Sequence, residues 1–434
     1  MTRIEAADCR FLLGAATFAC LVMGGGTVRG VAIDALLQIF IICAATYTII
    51  RLRKSQTSWL GVTLFVLVLC AGLVQVIPIP TELIHSLRPE IFLPYLPDSQ
   101  MEQSLSTISL STSRTLPAII IVLSVISMFI AFSKLSERDI AGILPFYILG
   151  LVVIMIVLVL RYSNVISDKS DHYLGYFANL GLFANENHLS ILLCASIPLL
   201  VYLAFFRTRS YFPVFLVAFV LLCLLAIGSR AGIQIGFAVL VMSIFVLARR
   251  ARLAGSVILG LLITLVVYGY GAFVRIGGDE VQTGLERRDF ALTTLRGIGD
   301  NWILGTGYGS FDLIYPHYER LEDVYSPYVN HAHNDVLEIV LEGGAMGAFI
   351  VLFYLMALLL RLARSQANQL QLLSFLSIGV ILVHSTVDYP LRTMAVAASF
   401  AFFNAIFFAR LSAVRPVLPS GTTEDHGQAG VAPG

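Results

Sequence analysis

Apolar residues fall in long, nearly unbroken runs instead of alternating with polar ones, and a run of about 20 such residues reads as a helix that crosses a bilayer. These runs cover residues 11–28, 31–50, 59–79, 115–133, 140–160, 187–206, 211–228, 231–248, 253–272, 336–360, 370–387 and 394–410. The pattern predicts an all-α membrane protein, a polytopic bundle of about twelve transmembrane helices spread over residues 1–414. The remaining tail, 415–434, carries Gly, Pro and Ser without an apolar face and reads as disordered. Arg3 and Arg10 ahead of the first run have the form of a signal peptide, but no polar mature domain follows, so the run is read as the first span.

The polar positions between the runs give the orientation. When the loops are sorted by alternating side, the side holding the N-terminus carries sixteen cations and six anions, a balance of +10. The opposite side carries twelve cations and twenty-one anions, a balance of −9, and the two together make the chain's +1. Lys and Arg collect on the cytoplasmic side of membrane proteins, so both termini are placed in the cytoplasm. Every inner connection is short and basic, whereas three outer ones are long: 80–114, 161–186 and 273–335. The last, between the ninth and tenth spans, is far longer than a connection requires. Function is therefore expected on the outer side.

Composition sharpens the picture by exclusion. Of 434 residues, 58% are hydrophobic and 13% charged, half the charge of a typical soluble domain, which excludes a soluble enzyme. A net charge of +1 provides no excess for a polyanion, so no nucleic acid is expected as partner. The six cysteines lie in or beside apolar runs, which suits neither a disulfide framework nor a Cys-based metal site.

The candidate chemistry gathers at the outer rim. His331-Ala332-His333-Asn334-Asp335 opens the tenth span, and Asp335 with Glu338 three residues on has the form of a capping box. That would leave His333 just outside the helix start, where a neutral imidazole can take a proton from a hydroxyl or simply bond the rim. A metal reading of His331, His333 and Asp335 is weaker, because neither Asp-x-Asp nor HExxH occurs. Arg230 stands in the turn Gly228-Ser229-Arg230-Ala231-Gly232 with no acid within forty positions along the chain; a guanidinium there can hold a phosphate or snorkel to headgroups. Arg287 and Arg288 lie between Glu286 and Asp289, so one could clamp phosphate and one could be locally paired. Gly305-Thr306-Gly307-Tyr308-Gly309 lacks the Lys-Ser/Thr of a nucleotide loop and reads as a tight turn. The loop tyrosines 308, 315, 318, 325 and 328 can stack on sugars or mark the interface. His384 and Asp388, four apart at the end of the eleventh span, read as a support pair, and Asn185-Glu186-Asn187-His188 places polar groups at the start of the sixth, where an Asn can be a cap.

Together these residues resemble the O-antigen ligase and polymerase family, membrane glycosyltransferases that handle polyprenyl-diphosphate-linked glycans. The family's His-Asn, nine residues, Gly-x-x-Gly signature is met by His333-Asn334 and Gly344-Ala345-Met346-Gly347. FANENHLS at 183–190, Ser229-Arg230-Ala231-Gly232, Gly305 to Phe311 and HSTVDYP at 384–390 extend the likeness over about 180–390. Two departures stand out: Ala291 replaces a usual tryptophan, and Trp302 stands where members often have proline.

The resemblance implies an inverting, metal-independent enzyme with no cofactor, placed in a bacterial inner membrane with its active site and the long loop 273–335 in the periplasm. His333 would be the catalytic base, and Arg230 and Arg287 would bind the diphosphate, with the register between Arg287 and Arg288 open by one. Arg288, Asn334, His331, Asn187, His188 and Tyr308 are the substrate-binding candidates, and His384 with Asp388 the supporting pair. The implied partners are a polyprenyl-diphosphate-linked glycan donor, membrane lipids and an acceptor, which is the lipid A core for a ligase and a second lipid-linked glycan for a polymerase; the ligase is preferred. A secondary transporter is the competing class. Transporters carry polar groups near the bilayer midplane, whereas here ionisable residues sit at span ends, with Asp34 the nearest exception.

Overall fold

A computed structural model describes residues 3–27, 30–55, 57–87, 105–165, 181–206, 211–248, 255–276, 282–320, 329–364 and 367–409. The tail 415–434, Tyr325, Tyr328 and part of the basic inner connections lie outside the described residues. In a bilayer every backbone N–H and C=O must be satisfied within the protein, which leaves helices as the solution for runs of this kind. Each of the twelve apolar runs falls on a helix. In chain order these are α1 (Arg3–Met23), α2 (Ala32–Arg51), α3 (Trp59–Val76), the short α4 (Thr81–His85), α5 (Thr112–Ser133), α6 (Glu137–Tyr162), α7 (Glu186–Phe206), α8 (Phe212–Ile227), α9 (Arg230–Ala248), α10 (Gly255–Ile276), α11 (Gln282–Asn301), α12 (Phe311–Tyr318), α13 (Asp335–Arg364), α14 (Gln369–His384) and α15 (Met394–Phe408). Among the described residues, eight helices are long and apolar enough to cross a membrane: α1, α2, α3, α5, α6, α7, α9 and α13. Four apolar helices are shorter, α8, α14, α15 and the described part of α10.

Of the eight long helices the most enclosed is α7, which packs against α8, α9 and α14. Around it one continuous apolar core runs from Leu13 and Leu21 on α1 through Tyr147 on α6 to Phe402 and Phe403 on α15. Tyr147 stacks on Phe402 at 5.5 Å and donates to or accepts from Ser196 of α7, so the buried phenol keeps a polar partner. Polar helix starts are closed by side chains: Ser58 accepts from Gly61 N, Ser136 from Asp139 N, and Asn368 and Gln371 form a reciprocal capping box.

The long outer segment 273–335 is not simply a loop. Its residues 282–301 make α11, which packs on α13, and 311–318 make α12. Phe290, Phe311, Tyr315, Ala332 and Leu341 form a second, small core beneath them. The first outer connection contributes a two-residue antiparallel pair, β1 (Ile79–Pro80) with β2 (Leu105–Ser106). It joins the same layer, for Leu110 N donates to Thr306 O at 3.1 Å and Arg114 pairs with Asp312.

The tenth run needs a correction. A straight helix of 30 residues, the length of α13, would be about 45 Å long, against a hydrocarbon core of about 30 Å. At Gly344 the backbone turns to φ 57° and ψ −144°, so α13 is two helices joined at a kink. Only glycine adopts this conformation at low cost. A Cβ there would stand 2.5 Å from Gly305 N and 2.6 Å from Ile303 O. The carbonyls freed by the break are met by the glycine turn: Thr306 N donates to Leu341 O and Gly307 N to Glu342 O, while Ala345 N donates to Ile303 O. Residues 345–364 alone reach about 30 Å, and residues 335–343 form a separate short helix aimed by the outer layer.

Candidate functional site

The site is built on the turn that follows α14. Val387 N and Asp388 N both donate back to His384 O at 2.9 Å, closing the chain on itself before the 3-10 turn Pro390–Arg392. Asp388 thereby enters the interior with a fully buried side chain. Its Oδ2 accepts from Asn187 Nδ2 at 2.8 Å, and its Oδ1 accepts from Tyr389 N at 3.0 Å and meets His333 Nδ1 at 3.2 Å. Arg287 Nη2 approaches Oδ2 to 3.6 Å, His188 Nε2 approaches Oδ1 to 3.7 Å and His384 Nε2 approaches Oδ2 to 3.9 Å. Burial by itself would raise the carboxyl's pKa; the imidazoles of His188 and His333 outweigh it and hold Asp388 well below the usual range.

His333 sits at φ 46°, one of two non-glycine residues with positive φ among the described residues, a conformation that costs an L-residue about 1–2 kcal/mol. Both flanks hold it there. Ala332 N donates to Glu338 Oε2 at 3.0 Å, and Asn334 Nδ2 donates to Thr386 O at 2.9 Å. The ring packs on Phe290 at 5.6 Å and edge-on against Tyr389 at 5.0 Å, with 24% of the side chain exposed. With Nδ1 turned to the carboxylate, the network assigns the proton to Nδ1 and the lone pair to Nε2.

The expected residues thus divide. His333, Arg287, Asn187 and Asp388 come together, with His188 and His384 behind them. Arg287 and Phe290, three apart on α11, reach the site from one face, while Arg288 is exposed and does not reach Asp388. Arg230 is the exposed first residue of α9. Ser229 just before it donates to Asn187 Oδ1 at 2.8 Å, so two hydrogen bonds tie this helix start to Asp388. Asn185 caps α7 by accepting from Asn187 N, which leaves the Asn187 side chain for Asp388.

The remaining candidates are held by the protein's own contacts. Asn334, not Asp335, caps α13: its Oδ1 accepts from Leu337 N at 3.0 Å. Both ends of the Asn334 amide are therefore engaged by the protein. His331 is 3% exposed, with Nδ1 on Glu338 Oε1 at 2.8 Å, and His188 is wholly buried with Nδ1 bonded to Thr393 Oγ1. His384 and Asp388 do not share a helical face, because α14 ends at His384, yet the turn that follows brings His384 Nε2 to 3.9 Å from Asp388 Oδ2. Tyr308 packs over Gly343, and burial together with the charge of Glu342, against that of Arg392, pushes its hydroxyl up to about 12.

A second charged cluster went unread in the sequence. Arg392 Nη2 lies 3.2 Å from Glu338 Oε1 and 3.3 Å from Glu342 Oε2, and its Nε is 3.7 Å from Asp335 Oδ1. Spacing at 335, 338 and 342 puts the three acids on one face of the short helix, a signal available in principle. Among the described residues no group of three or more His, Cys, Asp or Glu has the arrangement to hold a metal ion.

Residues 214–352, from α8 to just past the kink in α13, match the model of the family described as O-antigen ligase, which supports placing the chain in that family. The match covers about a third of the chain and includes Arg230, Arg287, His333 and Gly344. It supports a membrane glycosyltransferase of the O-antigen ligase or polymerase type, acting in general terms on a lipid-linked glycan and a glycan acceptor. Asn187, His188, His384 and Asp388 lie outside the matched residues. No curated protein matches the chain.

Proposed function

We propose that the chain transfers a glycan from a polyprenyl diphosphate to an acceptor hydroxyl at the periplasmic face of a bacterial inner membrane, all twelve apolar helices crossing it. The observation that carries this reading is the sharing of one carboxylate: His333 Nδ1 and Arg287 Nη2 sit 3.2 and 3.6 Å from the two oxygens of Asp388. A carboxylate on Nδ1 fixes the tautomer that leaves Nε2 basic and stabilises the imidazolium that forms when it takes a proton. His333 Nε2 removes the acceptor hydroxyl's proton as that oxygen bonds the anomeric carbon. The bond from this carbon to the diphosphate oxygen breaks, and the configuration inverts. Arg287 and Arg230 take up the charge on the departing diphosphate. The leaving group comes with the donor lipid, so no soluble cofactor is required. The basic inner side, +10 against −9 outside, supports cytoplasmic termini and a periplasmic site.

Between acceptors we favour the lipid A core, the ligase reaction. The test is transfer by purified protein in detergent with a chelator, offering both lipid A core and a second lipid-linked unit. Product on the core is expected, with loss in His333→Ala, Arg230→Ala and Arg287→Ala. Chain extension without core product would make the protein a polymerase. No transfer to either acceptor, or three variants equal to wild type, would overturn the reading.

A further inference from the structure

The two partners of the histidine–carboxylate pair belong to different elements, His333 to the segment before α13 and Asp388 to the turn after α14. Nothing local to either sets the distance between them. Asn334 Nδ2 on Thr386 O and Asp335 N on Ser385 O tie the two elements at 2.9 Å each, and an ion pair joins them again behind the site. Glu338, fully buried, uses both carboxylate oxygens on the first element: Oε1 takes His331 Nδ1 at 2.8 Å and Oε2 takes Ala332 N at 3.0 Å. Its Oε1 also meets Arg392 Nη2 at 3.2 Å, and Arg392 stands four residues after Asp388 on the second element. Asp335 completes the bracket by accepting from Ser385 Oγ and Leu391 N at 2.8 and 3.2 Å. Tyr389 fills the space between, its ring 4.2 Å from that of His331 and 5.0 Å from that of His333.

We infer that Glu338 and Arg392 are positioning residues for the transfer reaction, a bracket that holds His333 in its left-handed conformation with Nδ1 against Asp388. This rests on the function proposed above. A left-handed histidine persists only where its surroundings over-determine it, and Glu338 fixes the two residues immediately before it. Among the described residues neither Glu338 nor Arg392 forms an ion pair with Arg287, so loosening the bracket acts first on the base and less on diphosphate binding.

The test compares kcat and donor KM for Glu338→Gln and Arg392→Lys with those of His333→Ala and the double variant Glu338→Gln/His333→Ala. A misplacement of the base on the order of 1 Å lowers kcat by roughly 10², so a fall of about 10- to 100-fold is expected with donor KM within about twofold. The double variant should be no slower than His333→Ala alone, because a residue acting through the base has nothing left to position. A purely structural role would instead add its loss to that of His333→Ala. Should Glu338→Gln not fold, hydrogen exchange in full-length Arg392→Lys decides: amides of residues 331–334 should exchange faster while those of α7 do not. Wild-type kcat in both single variants, losses confined to KM, additive losses, or unchanged exchange would each overturn the inference. Wild-type transfer by His333→Ala would overturn the proposed function itself, and so is distinguishable from failure of the bracket.

Discussion

Two carboxylate clusters lie on either side of Tyr389, and they are built in opposite ways. Around Asp388 a single acid receives the amide of Asn187, a backbone N–H and His333, with Arg287 in ion-pair range. Around Arg392 a single cation faces three acids. The first cluster is open on one side, since His333 and Arg287 keep 24% and 34% of their side chains exposed. In the second the acids are sealed, at 3% for Asp335 and 0% for Glu338 and Glu342, as Asp388 is in the first, and Arg392 keeps 23% of its side chain exposed. Surplus donors around one anion create a place where further negative charge is welcome, which suits a departing diphosphate. Surplus acids around one guanidinium make a joint, because removing the guanidinium would strand three buried carboxylates without compensation.

If the open cluster is the reacting one, the largest loss follows from removing its base. His333→Ala is expected to lower transfer by about 10⁴-fold, the upper end for a general base, measured as initial rate at saturating donor. Asp388→Asn leaves the ring in place but lets Nδ1 lose its anionic partner, and a loss of roughly 10³ is expected by analogy with carboxylates that orient catalytic imidazoles. A near-normal rate in Asp388→Asn would make the carboxylate a structural anchor and dissolve the distinction between the clusters. Next comes the clamp. Arg287→Lys keeps the charge but loses the planar fork that holds phosphate bidentately, so a loss of about 10² is expected, chiefly in kcat. Arg288→Lys, at an exposed position, should stay within about twofold; the reverse order would assign the clamp to Arg288.

The kink offers a check on how the clusters are aimed. Gly344→Ala places a Cβ against Gly305 N and Ile303 O in a backbone region closed to other residues. A loss of at least about 2 kcal/mol is expected, read as a lower unfolding temperature in detergent, with transfer falling in the protein that remains folded. Unchanged stability would mean that the short helix 335–343 does not need the break.

Much of this was legible in the sequence where one residue type does one job. Unbroken apolar runs located the helices, because a bilayer leaves the backbone no alternative. His333 and Arg287 stood out as polar groups at an apolar rim. What the sequence hid depends on contacts between distant segments. Asp335 and Glu338 matched a capping pattern, yet Asn334 caps α13 and both acids turn inward to Arg392, more than fifty positions on. The glycines at 305, 307 and 344 punctuated the chain as a turn and a signature, but their joint purpose, patching the hydrogen bonds of a broken helix, appears only once 303–307 lies against 341–345. Helix α11 was missed because its apolar face covers a small outer core and not a membrane, which leaves its hydropathy that of a loop.

The smallest effect expected is one of pH on stability, and it separates the clusters without any assay of transfer. The Asp388 carboxyl is held well below its ordinary 3.8 by the donors around it. A group whose pKa is depressed on folding stabilises the folded state above its unfolded value, and that contribution is lost as pH falls through the folded value. Wild type should therefore unfold at a higher temperature than Asp388→Asn throughout pH 5–8, and the margin should close only below about pH 4. A margin that is absent at pH 7, or that persists unchanged to pH 3, would mean that the imidazoles do not bear on an ionised Asp388, and the open cluster would lose the charge that orients its base.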